Sequence, residues 1–234
     1  VTLANRYPLS LDVMSTVNTP ALPKPLTLTI NGQGDASALS IRAHSKGYIP
    51  STLMLKADML DETLPLELDA SWQAFSIEGD TPIVIEQGGI EIAGQIGSYA
   101  VNAQTGATLD PVGRSTLLLK AAVAKDKINI DSLDIEALNG TLSTSGTVFL
   151  KDTISWAGTS QLSTLDLTPI HSHVPTDLTG SIDVRMRLTD KGPDINATSI
   201  QIDGQYLDLP ISIVGQGLYS VPYTKLTLPT RERM

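Results

Sequence analysis

The sequence predicts an all-β fold: a long antiparallel meander without substantial helix, curled into an open groove whose concave face is apolar. Three observations predict it. Apolar residues recur at every second position along most of the 234 residues, as they do on a strand, which sends successive side chains to opposite faces. No window carries apolar residues at the i, i+3, i+4, i+7 spacing of a helix. The alternating segments are separated by turn signals of two to four residues, enough to join antiparallel neighbours and too short for a parallel crossover.

Taken in order, Leu9, Leu11 and Val13 share one parity, as do Leu26, Leu28 and Ile30, and then Leu53, Leu55, Ala57 and Met59. Leu64, Leu66, Leu68, Ala70 and Trp72 continue the pattern, followed by Ile90, Ile92 and Ile96, and by Leu117, Leu119, Ala121 and Val123. Residues 138–150, LNGTLSTSGTVFL, place Leu138, Gly140, Leu142, Gly146, Val148 and Leu150 on one side, with Thr144 the sole polar member. Asn139, Thr141, Ser143, Ser145 and Thr147 fall on the other. Ile182, Val184, Met186 and Leu188, then Leu207, Leu209, Ile211 and Ile213, complete the series. Turns are expected at Asn31-Gly32, Asp61-Glu62, Glu78-Gly79-Asp80, Gly88-Gly89, Thr105-Gly106, Lys125-Asp126-Lys127, Lys151-Asp152, Lys191-Gly192-Pro193 and Asp203-Gly204. This makes roughly 15 strands, several of about 9 to 13 residues against a usual 5 or 6.

The chain reads as a single β segment over 1–234. Residues 165–180, LDLTPIHSHVPTDLTG, form a longer loop or a corner, with a repeat boundary near 168–177. Two short self-similarities point to repeats: Ser-Trp at 71–72 and at 155–156, and a Pro-x-x-Leu-Thr frame at 23–30 and 175–182. The last residues, TKLTLPTRERM (224–234), fit the pattern least and read as a divergent strand or a non-native tail.

Composition narrows the function. Charged residues make up 18% and aromatics 4%, so aliphatic surface is plentiful while bulky core filler is scarce. A formal charge of -9 argues against nucleic acid as a partner, because phosphate binding needs a basic face. Cysteine is absent, which removes disulfide frameworks and thiolate metal sites. No run of about 18 apolar residues could span a membrane as a helix. The opening, VTLANRYPLSLDV, has no initiator Met and starts almost inside a strand, so it reads as the interior of a longer protein.

An apolar sheet face must be covered, and no helix is available to cover it. Gly94, Gly140, Gly146 and Gly158 on the apolar parity leave room on that face. A sheet curled into a trough satisfies these constraints, and so does a sandwich folded on itself.

Over LDLTPIHSHVPTDLTGSIDVRMRLTDKGPDINATSIQIDGQYLDLPISIVGQGLY the order Leu165, Asp166, Leu167, Pro169, Pro175, Leu178 and Gly180 resembles the TamB family. The preceding ALNGTLSTSGTVFLKDTISWAGTSQLSTLDL is similar to that family's repeating strand–Gly–strand–Trp unit. The likeness spreads over most of residues 20–220 and contains no catalytic motif. It implies an AsmA-like relative of the bridge-like lipid transfer proteins: an open β-groove along which phospholipid acyl chains pass between inner and outer membrane. It further implies a role in outer-membrane protein assembly with a barrel partner. The location it implies is the periplasm, with an inner-membrane anchor on an N-terminal segment outside this sequence. The chain would then be a middle segment of the groove. The lining expected on this reading is Leu138, Leu142, Val148, Leu150, Ile154, Trp156, Ile182, Val184, Met186, Leu188, Leu209 and Ile211, acting as a surface and not as individual ligands.

Other sites have plainer readings. His171-x-His173 sits in a Pro-flanked loop without a set of four ligands, and reads as an exposed turn instead of a metal pair. Glu67 and Asp69 alternate with Leu66 and Leu68, which places them on a solvated face and not in a glycosidase pair. Arg185 and Arg187 alternate with Val184, Met186 and Leu188 and point outward, as a solvated face or as phosphate contacts at a groove rim. Trp72 and Trp156 fall on the apolar parity, as filler or as packing for a passing chain. No nucleophile elbow or phosphate loop is present, and neither catalytic residue, metal nor cofactor is expected. The competing class is a cell-surface structural or adhesive β-repeat with a closed core. A third is a template whose strand edges pair with incoming barrel strands.

Overall fold

The structure, a computed structural model, describes residues 8–19, 23–79, 81–190, 192–220 and 223–227, the last five for their backbone alone. Among these residues there are seventeen strands and no helix. The chain divides into two compact units, residues 1–109 with 123–125 and residues 110–122 with 126–234.

The first unit contains Leu9–Val17 (β1), Leu26–Asp35 (β2), Ala38–Gly47 (β3), Ser51–Ala57 (β4), Leu66–Trp72 (β5), Phe75–Ile77 (β6), Ile83–Ile85 (β7), Gly88–Gln95 (β8) and Ser98–Leu109 (β9). β1 to β5 form a plain antiparallel meander. β5 then pairs with β8, and β8 with the first half of β9. The short pair β6 and β7 caps this hairpin, and β7 continues the ladder onto the second half of β9.

The second unit holds Gly113–Val123 (β10, all but its last residue), Lys127–Ala137 (β11), Gly140–Phe149 (β12), Ser155–Leu165 (β13), Thr176–Thr189 (β14), Gly192–Tyr206 (β15), Leu209–Ser220 (β16) and Tyr223–Thr227 (β17). From β11 to β17 each strand pairs antiparallel with the next. β14 and β15 run 14 and 15 residues, longer than the sequence pattern predicts. Of the tail expected at 224–234, the backbone of 224–227 lies in β17 and the rest is outside the described residues.

Bulges explain why such long strands keep one apolar side. A regular strand alternates strictly, so an apolar spacing of three would throw the second residue to the wrong face. Ile130 and Leu133 on β11, Leu162 and Leu165 on β13, and Ala197 and Ile200 on β15 are all spaced by three. Each of these pairs spans a register shift in its ladder. The extra residue of the bulge absorbs the odd step, so both members stay on the same side.

The turns depart from expectation in an informative way. Asn31-Gly32, Thr105-Gly106 and Asp203-Gly204 lie inside β2, β9 and β15, and Gly88-Gly89 opens β8. In their place, Leu138-Asn139 joins β11 to β12 and Leu207-Asp208 joins β15 to β16. All four of these residues have positive φ, between 49° and 62°, as a two-residue type I′ hairpin requires. The loop between β13 and β14, residues 166–175, falls where the Pro- and His-rich stretch places it.

Very little is buried. Among the described residues only Ala121 and Leu178 are buried hydrophobics, at 7% and 8% exposure. Among the described residues every strand belongs to the hydrogen-bonded sheet, and none forms a separate second layer. The fold is therefore all-β, antiparallel and open, as the alternation predicts.

Leucine is poorly suited to positive φ, which asparagine tolerates. Leu138→Asn and Leu207→Asn are expected to raise stability by about 0.5–1 kcal/mol each, read as a higher urea midpoint at unchanged slope. An unchanged or lower midpoint would contradict the turn assignment.

Candidate functional site

Residues directly opposite one another in an antiparallel ladder project to the same side, so the registers assign every strand residue to a face. In the second unit one row crosses β11 to β16 as Ile128, Val148, Trp156, Met186, Ile195 and Tyr219. The next row on that face is Ile130, Gly146, Gly158, Val184, Ala197 and Gly217. Then come Leu133, Thr144, Ser160, Ile182, Ile200 and Gly215, and after them Ile135, Leu142, Leu162, Gly180, Ile202 and Ile213. The opposite face carries Ser143, Gln161, Ser181 and Gln201 in one row, and Asn129, Thr147, Ala157, Arg185 and Asn196 in another.

The structure thus brings Leu142, Val148, Trp156, Ile182, Val184 and Met186 onto one face, each half-buried by its neighbours in the sheet. Leu150, Ile154, Leu188 and Leu209 are exposed near strand ends, at 43%, 48%, 49% and 66%. Their parity matches that of Val148, Trp156, Met186 and Ile211, and Leu188 N–H donates to the Ile154 carbonyl at 2.9 Å. Ile211 lies opposite Gly204 on the same side. Leu138 differs: it sits in the hairpin turn and not on the strand, with its carbonyl accepting from Asp166 N–H at 2.9 Å.

The first unit has a face of the same kind. Leu11, Gly32, Ile41, Leu55, Leu68, Ile92 and Val101 form one row across β1 to β5, β8 and β9. Val13, Ile30, Ala43, Leu53, Ala70, Ile90 and Ala103 form the next. The alternation marks several of these residues in the sequence. It is hidden on β3 and β9, where Ala43, Ser45 and Ala103 interrupt the aliphatic run.

Polar groups on these faces are largely satisfied among themselves. Thr144 and Ser160 share a hydroxyl hydrogen bond at 2.9 Å across β12 and β13. Ser45, the one buried polar residue among those described, bonds Ser51 Oγ at 2.7 Å and donates to the Ile49 carbonyl. Pairing of this kind removes the penalty that a lone hydroxyl would carry in an apolar surface. It also leaves few directional groups to bind a polar ligand.

The two tryptophans have a common arrangement. Trp72 lies directly opposite Gly88, and a Cβ built on Gly88 would stand 2.6 Å from the indole Cζ2. Trp156 covers Gly158 on its own strand and Gly146 on β12, whose Cβ would stand 2.7 Å from the indole Cη2. Each ring occupies space beside a glycine that a side chain at that position would fill. Trp72 Nε1 is buried without a hydrogen-bond partner, a cost of about 1–3 kcal/mol.

The polar candidates behave as turns and solvated faces. His171 and His173 are exposed with rings 5.6 Å apart, and no group of three His, Asp or Glu capable of holding a metal occurs among the described residues. Glu67 pairs with Lys56 at 3.0 Å on the exposed face. Arg185 and Arg187 are exposed on the side opposite Val184 and Met186. Hydrogen bonds from the Thr63 side chain and then its backbone hold the Asp61 carboxyl below the usual range, and Thr168 does the same for Asp166. Both acids close loops, and neither is raised toward the range of a general acid. No helix among the described residues is long and apolar enough to cross a membrane.

Gly146 has no room for a side chain: its Cβ would overlap the Ala157 carbonyl as well as the indole. Gly146→Val is expected to destabilise by about 1–3 kcal/mol. Gly79→Ala, with nothing within 4 Å of its Cβ, should stay within about 0.5 kcal/mol of the parent. Equal effects in urea unfolding would show that the glycine floor is not packed as described.

No solved structure matches the chain. Its sequence matches the family described as TamB, N-terminal domain, over residues 1–229. With that match covering nearly the whole length, the chain belongs to the TamB family.

Proposed function

We propose that the chain is a non-enzymatic lipid conduit, carrying phospholipid acyl chains on the apolar faces of its sheets in the periplasm, between inner and outer membrane. The observation that carries this reading is an aliphatic face left partly exposed in each unit. Leu142, Leu162, Ile182 and Ile202 lie on the same side of neighbouring strands, and each stays partly exposed. Membership of the TamB family supports the same reading. Support for outer-membrane protein assembly with a barrel partner, and anchorage to the inner membrane through a segment outside this sequence, belong to the proposal as well.

The energetics favour such a ligand. Burial of a methylene is worth about 0.8 kcal/mol, so an acyl chain of about 16 carbons costs on the order of 12 kcal/mol to hold in water. An aliphatic face with few unpaired donors recovers much of that without fixing the chain at one position. A structural repeat with a closed core would bury these side chains, and the described residues include only two buried hydrophobics.

A carboxylate in the middle of the face should repel the ligand. Leu142→Asp and Val184→Asp are expected to abolish co-purification of phospholipid, as counted by native mass spectrometry and lipid extraction. Gln161→Asp, exposed on the opposite face, should leave it unchanged. If the two inner variants keep β-type circular dichroism and still carry lipid at parent stoichiometry, the face is not the conduit.

A further inference from the structure

We propose that Trp72 and Trp156 are movable plugs, each indole leaving its glycine floor to admit an acyl chain. The inference rests on the lipid reading above and specifies how the face opens. Both indoles occupy space that their surroundings keep free of every other side chain. Over Gly146 and Gly158 a Cβ would collide with strand backbone as well as with the ring, so when the indole moves away nothing else fills the floor. The same holds at Gly88, where a Cβ would meet the Gln104 carbonyl at 2.5 Å in addition to Trp72. A swing of the ring therefore exposes a flat patch of sheet at least as wide as one indole, which is enough for a methylene chain.

Two further features point to motion and not to simple filler. Trp72 in its resting position keeps a buried N–H without an acceptor, and that unmet bond is recovered when the indole turns outward to water or to a lipid ester oxygen. Both residues are also half-buried on the apolar face of their sheet, beside glycines, so the seat is formed in part by backbone and fewer side chains interlock with the ring. The arrangement occurs in each of the two units, on Ser-Trp dipeptides 84 positions apart. A filler residue would be expected to satisfy its polar atom; a plug that must leave its seat gains from an unsatisfied one.

The test is the rate at which the chain takes up a self-quenched fluorescent phospholipid from phosphatidylcholine vesicles. Replacing both indoles in the Trp72→Ala, Trp156→Ala chain removes the plugs, and uptake should accelerate about threefold or more. Trp72→Phe, Trp156→Phe keeps a flat ring on each floor and should load at close to the parent rate. Circular dichroism establishes folding, and Trp72→Leu, Trp156→Leu replaces the alanine pair if that pair does not fold. Folded alanine or leucine variants that load no faster than the parent overturn the plug while leaving the lipid reading intact. A parent chain that takes up no lipid overturns the lipid reading and the plug with it.

Discussion

The backbone ladder between neighbouring strands is the constraint on which the rest of the structure depends. In an ordinary β-domain the ladder shares the work with a second layer, which buries one face and fixes the register from above. Here the aliphatic side chains stand beside one another along rows such as Leu55, Leu68 and Ile92. Register must then be set by the ladder itself, through tight hairpins, cross-strand hydroxyl pairs and bulges placed where the apolar spacing slips. A misregistered strand would turn aliphatic residues to the hydroxyl-rich side.

That dependence explains which side chains occupy the faces. Leucine, isoleucine and valine stand on a pleated surface at little loss of conformational freedom, and they shield one another laterally. The hydroxyls that intrude, Thr144 with Ser160 and Ser45 with Ser51, do so in cross-strand pairs. Glycine appears where backbone approaches backbone or an indole occupies the space of a side chain. The other side of each sheet is mostly Ser, Thr, Asn, Gln and charges, with Met14, Met54, Val214 and Leu218 exposed among them. Its polar groups hydrogen-bond across strands, as Thr159 does to Asp183 at 2.6 Å.

Most of this was legible from the sequence because a period of two is a direct imprint of strand geometry. It survives even where the tertiary structure is unusual, since alternation reports only that a strand has two unlike sides. The face formed by Leu142, Val148, Ile182, Val184 and Met186 could be named on that basis alone. The turns were less legible. Asn-Gly and Asp-Gly pairs mark a backbone conformation that glycine permits and does not compel, so Asn31-Gly32 and Asp203-Gly204 can sit mid-strand. There Gly32 accommodates Leu11 on the adjacent strand, at 3.3 Å from its notional Cβ. Conversely, Leu207 in a left-handed turn contradicts its own preference, and only the pairing of β15 with β16 forces it. Bulges were hidden for the same reason: a spacing of three in one strand acquires meaning only against the count of residues in its partner.

The uncovered faces carry a thermodynamic consequence. The heat-capacity change of unfolding arises mainly from apolar surface newly brought into contact with water. In this chain much of that surface is hydrated before unfolding begins, so the heat-capacity increment should be small for 234 residues. A small increment flattens the curve of stability against temperature. It also weakens the link between warming and hydrophobic strengthening that ordinary domains draw on near their cold limit. A sheet left open in this way trades the depth of its stability maximum for breadth, and changes little in stability over the range in which most domains change a great deal.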